Sequence, residues 1–176
     1  MQTSSLTPSK MRKLIIGRVQ SHLSKLGFLT HNRTTSWRTT NVKSDIFHFD
    51  LLSSSVCRKW RVPLGSFCIF PECFFPALPS LADAWEKCDA SVSLPYPVPE
   101  SRAQLRWQVF KGIRQPGCSH KAVYCLIDEE DIVYRIADDI VNGIEHKLTR
   151  FWHRYEDPSE LLRTLQEEED VTGRDQ

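Results

Sequence analysis

With 176 residues, 40% of them hydrophobic and 26% charged, the chain is long enough for one core, too short for two, and unlike a disordered sequence. Six scattered cysteines, without an apolar leader and cleavage site ahead of them, predict free thiols in a reducing, cytoplasmic compartment; no apolar run is long enough to cross a bilayer. The net charge of +1 conceals an asymmetry, because residues 1–61 hold 11 Lys/Arg against 2 Asp/Glu while residues 126–176 hold 6 against 15.

Residues 1–8 read as a flexible tail. From Ser9, Met11, Leu14, Ile15, Val19, His22, Leu23 and Leu26 recur at spacings of three and four, which predicts one helical face. Thr7 before Pro8 suits an N-cap, with Ser9 competing, and Gly27 suits the left-handed position just past the helix, with Phe28 folding back on Leu23. The first 44 residues contain no Asp or Glu, so an amphipathic mitochondrial presequence is the competing reading; a cleavable presequence has no need of the Gly27-Phe28 stop.

Strands are predicted over Phe28 to His31, Thr34 to Thr40, Asp45 to Leu52 and Ser66 to Pro71, with Asn41 and Val42-Lys43-Ser44 forming a hairpin connection. Alternation in the third strand points Phe47, Phe49 and Leu51 inward and sets His48 and Asp50 on the opposite face. Residues 71–99 read as a proline-rich irregular excursion with a helical turn near Leu81 to Lys87 and an extended SLPYPVPES. Two more strands are expected, Gln104 to Phe110 and Ala122 to Ile127, separated by a Gln115-Pro116-Gly117 turn. Asp128 or Asp131 then caps a long helix carrying Ile132, Val133, Ile136, Ile140, Ile144, Leu148 and Phe151, interrupted by Gly143 at a cost of about 1 kcal/mol relative to alanine. Asp157-Pro158-Ser159-Glu160 starts a short final helix, and residues 167–176 form an acidic tail too poor in apolar residues to pack.

Four constellations carry candidate chemistry. Cys68 and Cys73, with Cys118, His120 and Cys125, miss the paired Cys-x2-4-Cys spacing of structural zinc, and Cys68 and Cys125 lie in apolar runs where cysteine acts as a small hydrophobe. His48 and Asp50 offer a general base with a carboxylate neighbour, and Glu72 with Glu129, Glu130 or Asp131 would complete a metal-dependent nuclease site; ordinary solvation of a strand's polar face predicts the same pair and is the preferred reading. Asp138, Asn142 and His146, flanked by Asp139 and Glu145, form a polar row on the long helix, which reads as its solvated face. Arg33, Arg38, Lys43, Arg58, Lys59 and Arg61, interleaved with Trp37 and Trp60, would serve a nucleic acid if exposed, whereas a tryptophan at a strand centre belongs to a core. No phosphate-binding glycine loop and no nucleophile elbow is present.

Gly27 and Phe28 at the first corner, Trp37 and Arg38 in the strand, and Phe151, Trp152, Tyr155, Asp157, Leu161 and Leu162 at the end form a pattern that resembles the bacterial domain-of-unknown-function family 4304. The resemblance implies an α+β fold and a bacterial or phage origin, and it carries over no catalytic residue. The expectation is a single α+β domain over residues 9–166. It has a mainly antiparallel sheet of about five strands, an N-terminal helix, and a long plus a short C-terminal helix packed on one face. The expected role is non-enzymatic protein interaction through an open sheet face or the proline-rich segment, of an immunity or accessory kind, without a cofactor. A nucleic-acid binder or nuclease using the basic first third is the alternative.

Overall fold

A computed structural model of the chain describes residues 6–75, 105–106, 123–127, 131–157, 159–160 and 162–164. The proline-rich segment beyond residue 75, the Gln115-Pro116-Gly117 turn, Cys118, His120, Asp128, Glu129, Glu130 and both predicted tails except residues 6–8 lie outside them.

Helix α1 (Pro8–Lys25) starts where proline's fixed φ and missing N–H cost nothing, and the Thr7 side chain accepts from the Lys10 N–H at 3.4 Å. Thr7 is therefore the cap, and Ser9 lies inside the helix. Met11, Ile15, Ile16, Val19 and Leu23 are buried, but Leu14, expected on the inner face, is 53% exposed. Leu14 and Ile16 sit about 100° to either side of Ile15, and the core lies on the Ile16 side. The helix ends as predicted. Phe28 N–H donates to Leu23 C=O at 3.1 Å, Gly27 N–H donates to Ser24 C=O at 3.1 Å, and Gly27 takes φ +83°.

The sheet runs in the order β1 (Leu29–Thr30), β2 (Thr35–Thr39), β3 (Ser44–Leu51), β4 (Phe67–Phe74), β5 (Leu105–Arg106), every neighbour antiparallel. The expected hairpin joins β2 to β3, closed by Thr40 N–H donating to Lys43 C=O at 2.8 Å, and it fixes Arg38 opposite Asp45. Because side chains alternate, one face carries Ser36, Arg38, Asp45, Phe47, Phe49, Phe67, Ile69 and Cys73, the other Thr35, Trp37, Ile46, His48, Asp50, Cys68, Glu72 and Phe74.

β4 continues three residues beyond Pro71, where the sequence reading ended it. Phe67 exchanges both its backbone hydrogen bonds with Tyr124, so it and the odd-numbered residues after it direct their N–H and C=O groups away from β3. The donor that Pro71 lacks therefore falls outside the β3 ladder, and the strand tolerates the proline. Of the strand expected over residues 122–127, only the Tyr124 bridge forms among the described residues. Val123, Tyr124, Cys125 and Leu126 are all buried, alternately against the two sides of the sheet, which explains the continuous apolar run.

Helix α2 (Ser54–Trp60) has no counterpart among the predicted elements. The Ser53 side chain caps it by accepting from Val56 N–H at 3.3 Å, and Arg61 ends it in the left-handed region at φ 56°. Its seven residues are too few for a periodic signal to stand out. It packs Cys57 with Leu52, Val62, Cys68, Val123 and Cys125 on the face opposite α1, so it covers the Cys68 end of the sheet face expected to be open. On that same face Trp37, Ile46 and Phe74 are buried together.

The long helix is α3 (Ile132–Gly143), a π-turn (Ile144–Leu148) and α4 (Thr149–Arg154). Ile132, Ile136, Ile140, Ile144, Leu148 and Trp152 recur every four residues and are each at most 1% exposed. In a regular α-helix each such step over-rotates by about 40°, about 200° in five steps, which would swing Trp152 away from the core. The π-turn accommodates one extra residue and recovers about 100° of that drift. Thr149 supports it by donating from Oγ1 to Ile144 C=O at 2.9 Å. The irregularity thus follows Gly143, where the sequence marked an interruption. Beyond α4, the Asp157 carboxylate accepts from Ser159 N–H at 2.9 Å and Oγ at 2.7 Å, starting the final helical turn. α1, α3 and α4 pack with Phe47, Phe49, Phe67 and Ile69 in one core on one sheet face, the α+β arrangement expected.

Candidate functional site: a buried cationic cluster beside the first corner

At the end of the sheet beneath the α1 stop, the β2–β3 register places Arg38 opposite Asp45, and Lys43 two residues from Asp45 on the same face. The Asp45 carboxylate, fully buried, accepts from Arg38 Nε at 2.9 Å through Oδ2, and through Oδ1 from Lys43 Nζ and from the Cys73 thiol at 3.4 Å. Lys43 is also fully buried, whereas the Arg38 side chain retains 19% exposure. Burial first, and the Asp45 charge second, push the Cys73 thiol well above its ordinary pKa, so it stays protonated and donates to the carboxylate.

Arg38 is further fixed by donating from Nη1 to Leu26 C=O at 3.2 Å and by lying 5.0 Å from the Phe28 ring and 5.5 Å from the Trp152 ring. Phe28 packs on Trp152 with centroids 4.8 Å apart, so the corner after α1 and the helix after the π-turn jointly hold the guanidinium. Arg38 Nη2, Trp152 Nε1 and Ser36 Oγ are buried without a hydrogen-bond partner. Each such group forfeits about 1–3 kcal/mol of solvation when buried unpaired.

The sequence-predicted site residues disperse. Arg38 and Lys43 belong to this cluster and are not available to a nucleic-acid backbone, which corrects their place in the basic set. Arg33, Arg58, Lys59 and Arg61 are exposed, Trp37 is buried and Trp60 half-buried. His48 and Asp50 share a face as expected, but Thr35 Oγ1 rather than Asp50 meets His48 Nδ1, at 2.9 Å. Glu72 lies on that face fully buried, and Asp131 is exposed.

The polar row on the long helix divides among three partners: Asp138 pairs with Arg18 at 2.7 Å, Asp139 accepts from the Tyr124 hydroxyl at 2.7 Å, and Glu145 Oε1 lies 3.5 Å from His22 Nε2. Acidic C-terminal residues therefore neutralise part of the basic first third within the fold. Cys57, Cys68, Cys73 and Cys125 are buried free thiols, and no group of three or more metal-ligating side chains occurs among the described residues. No described helix is long and apolar enough to cross a membrane.

The cluster escapes the sequence because Lys43 falls in a hairpin connection and among basic residues that would serve a nucleic acid if exposed. The signal was present: a hairpin closing between Thr40 and Lys43 pairs Arg38 with Asp45 by counting alone. No family model matches the chain, and no curated protein or solved structure matches it either.

Proposed function

We propose that the protein is a non-enzymatic interaction domain that binds an acidic protein through the N-terminal half of α1 and the adjoining surface of α3. One observation carries this reading: two of the seven exposed large hydrophobic residues among those described, Leu14 on α1 and Tyr134 on α3, sit on either side of Arg18 on these adjoining helices. Leu14 is 53% exposed, and Tyr134, beneath the Arg18 guanidinium at 5.7 Å, is 61% exposed. Leu6 and Leu64 flank the contact between Pro8 and Gly65 and are 42% and 58% exposed. Around them α1 presents Lys10 and Lys13 and has no acidic residue of its own, while Arg18 is already paired with Asp138 of α3. Apolar anchors inside a basic rim complement a partner with apolar side chains set among carboxylates. An accessory or immunity role would suit such a surface in a bacterial or phage setting, the origin that the resemblance noted in the sequence implies.

The test is affinity purification from the native host with the wild-type chain and with the double variant Leu14→Glu/Tyr134→Ser. Both substituted positions are exposed, so the thermal midpoint should hold while recovery of the partner falls by at least tenfold. Equal recovery of the same partner by the variant would overturn the reading. The nucleic-acid alternative keeps support from the exposure of Arg33, Arg58, Lys59 and Arg61. It requires retention of DNA or RNA at low salt that weakens steeply as salt rises.

A further inference from the structure

We propose that the cluster beneath the α1 corner is a binding site for a small oxyanion, a carboxylate or phosphate group, held by Arg38 Nη2 and Trp152 Nε1. The charge count motivates it. Arg38 and Lys43 bring two positive charges to one carboxylate, that of Asp45, and neither cation meets another acidic side chain among the described residues. The C-terminal end of α1, whose Leu26 carbonyl accepts from Arg38, supplies the equivalent of about half a negative charge. A positive excess remains in a setting where charges persist only when compensated.

The unpaired donors locate the missing partner. All three acceptor contacts of Asp45 are taken by Lys43 Nζ, Cys73 Sγ and Arg38 Nε, so the carboxylate has turned its oxygens to groups other than Arg38 Nη2. That nitrogen and the indole N–H of Trp152, itself 1% exposed, are left without acceptors. The guanidinium carbon lies 5.5 Å from the indole ring centroid, so the two unpaired donors belong to side chains in direct contact. Ser36, two residues before Arg38 on the same face, adds a third unpaired polar atom, its buried Oγ. Of the three charged side chains only Arg38 has any exposed surface, 19%, and its Nη2 is itself buried. Lys43 sets the charge of the site from within, and Phe28 and Trp152 hold the guanidinium plane on which binding depends.

The experiment follows the indole N–H of Trp152 and the Arg38 Nε–H by nitrogen-15 NMR on the full chain. Sodium phosphate and sodium acetate are titrated separately against sodium chloride at equal ionic strength. The proposal expects a saturable shift of both resonances with at least one oxyanion and none with chloride, and which oxyanion saturates assigns the ligand class. Arg38→Lys keeps the charge but loses the planar fork, and should weaken binding about tenfold. Trp152→Phe keeps the ring but loses the N–H; read on the Arg38 resonance, it should weaken binding several-fold. A response shared with chloride, or an affinity unchanged in Trp152→Phe, overturns the site whether or not Arg38→Lys folds.

Discussion

The two ends of α1 use the same kinds of residue to opposite effect. On its exposed side an arginine meets an aspartate in solvent, Arg18 with Asp138, both about half exposed, four residues beyond the uncovered Leu14. Beyond its C-terminal end Arg38 meets Asp45 beneath two aromatic rings, with Lys43 sealed alongside. Water screens the first pair and makes it nearly neutral in energy; exclusion of water makes each member of the second indispensable to the others. The exposed end is therefore free to be a contact surface, and the buried end has only its unpaired donors to offer.

The largest effect that would break this comparison is at Asp45. Asp45→Ala leaves two cations facing one another without a counter-charge, and about 3–5 kcal/mol of stability should be lost in urea unfolding. Adding Lys43→Met should return part of that loss, and a double variant no more stable than Asp45→Ala would show that the excess charge is not what matters.

The glycines at the two ends come next. Gly27 and Gly65 both have left-handed φ, +83° and +91°, so alanine at either position carries about 1–2 kcal/mol of backbone strain. A Cβ on Gly27 meets nothing within 4 Å, whereas one on Gly65 lies 2.7 Å from Pro8 Cβ and 3.3 Å from Leu126 Cδ1. Gly65→Ala should consequently destabilise more than Gly27→Ala by thermal denaturation, the surplus reporting how rigidly the start of α1 is docked.

A smaller, pH-dependent effect belongs to Tyr124, whose hydroxyl proton is retained because burial, and then its bond to Asp139, raises its pKa far above the ordinary value. An unfolded tyrosine loses its proton near pH 10, so above that pH the unfolded chain binds fewer protons than the folded one, and stability should fall as pH rises. Urea midpoints measured between about pH 9 and pH 11 should show this slope, and Tyr124→Phe should flatten it. The smallest expected effect is Arg18→Ala, about 0.2–1 kcal/mol and less in high salt; a larger loss would mean that the exposed end of α1 resembles the buried one after all.

Much of the architecture was legible from local chemistry. Thr7, Pro8 and Gly27 bound α1 because capping and left-handed termination depend on residues adjacent in the chain. Alternation through Phe47, His48, Phe49 and Asp50 assigned both faces of β3 because the pleat has a period of two. Less was legible where the outcome depends on what lies across space. Leu14 and Ile16 are chemically alike, and only the position of the core decided which is buried. Pro71 reads as a strand end until the ladder shows that its missing donor faces away from β3. The four-residue spacing from Ile132 to Trp152 contained the π-turn as a mismatch with 3.6 residues per turn, but its meaning required knowing that Trp152 must reach Phe28.

The sequence by itself determined the helix–corner–sheet order, the β2–β3 hairpin and the asymmetry of charge, since each rests on near neighbours. Only the tertiary structure decided that Arg38 and Lys43 leave the basic surface, that α2 covers one end of the far sheet face, and that Arg18 and Asp138 meet on adjacent helices. Burial is a property of what packs on a residue, and a lysine beside a turn reads as solvated until the core is seen to close over it.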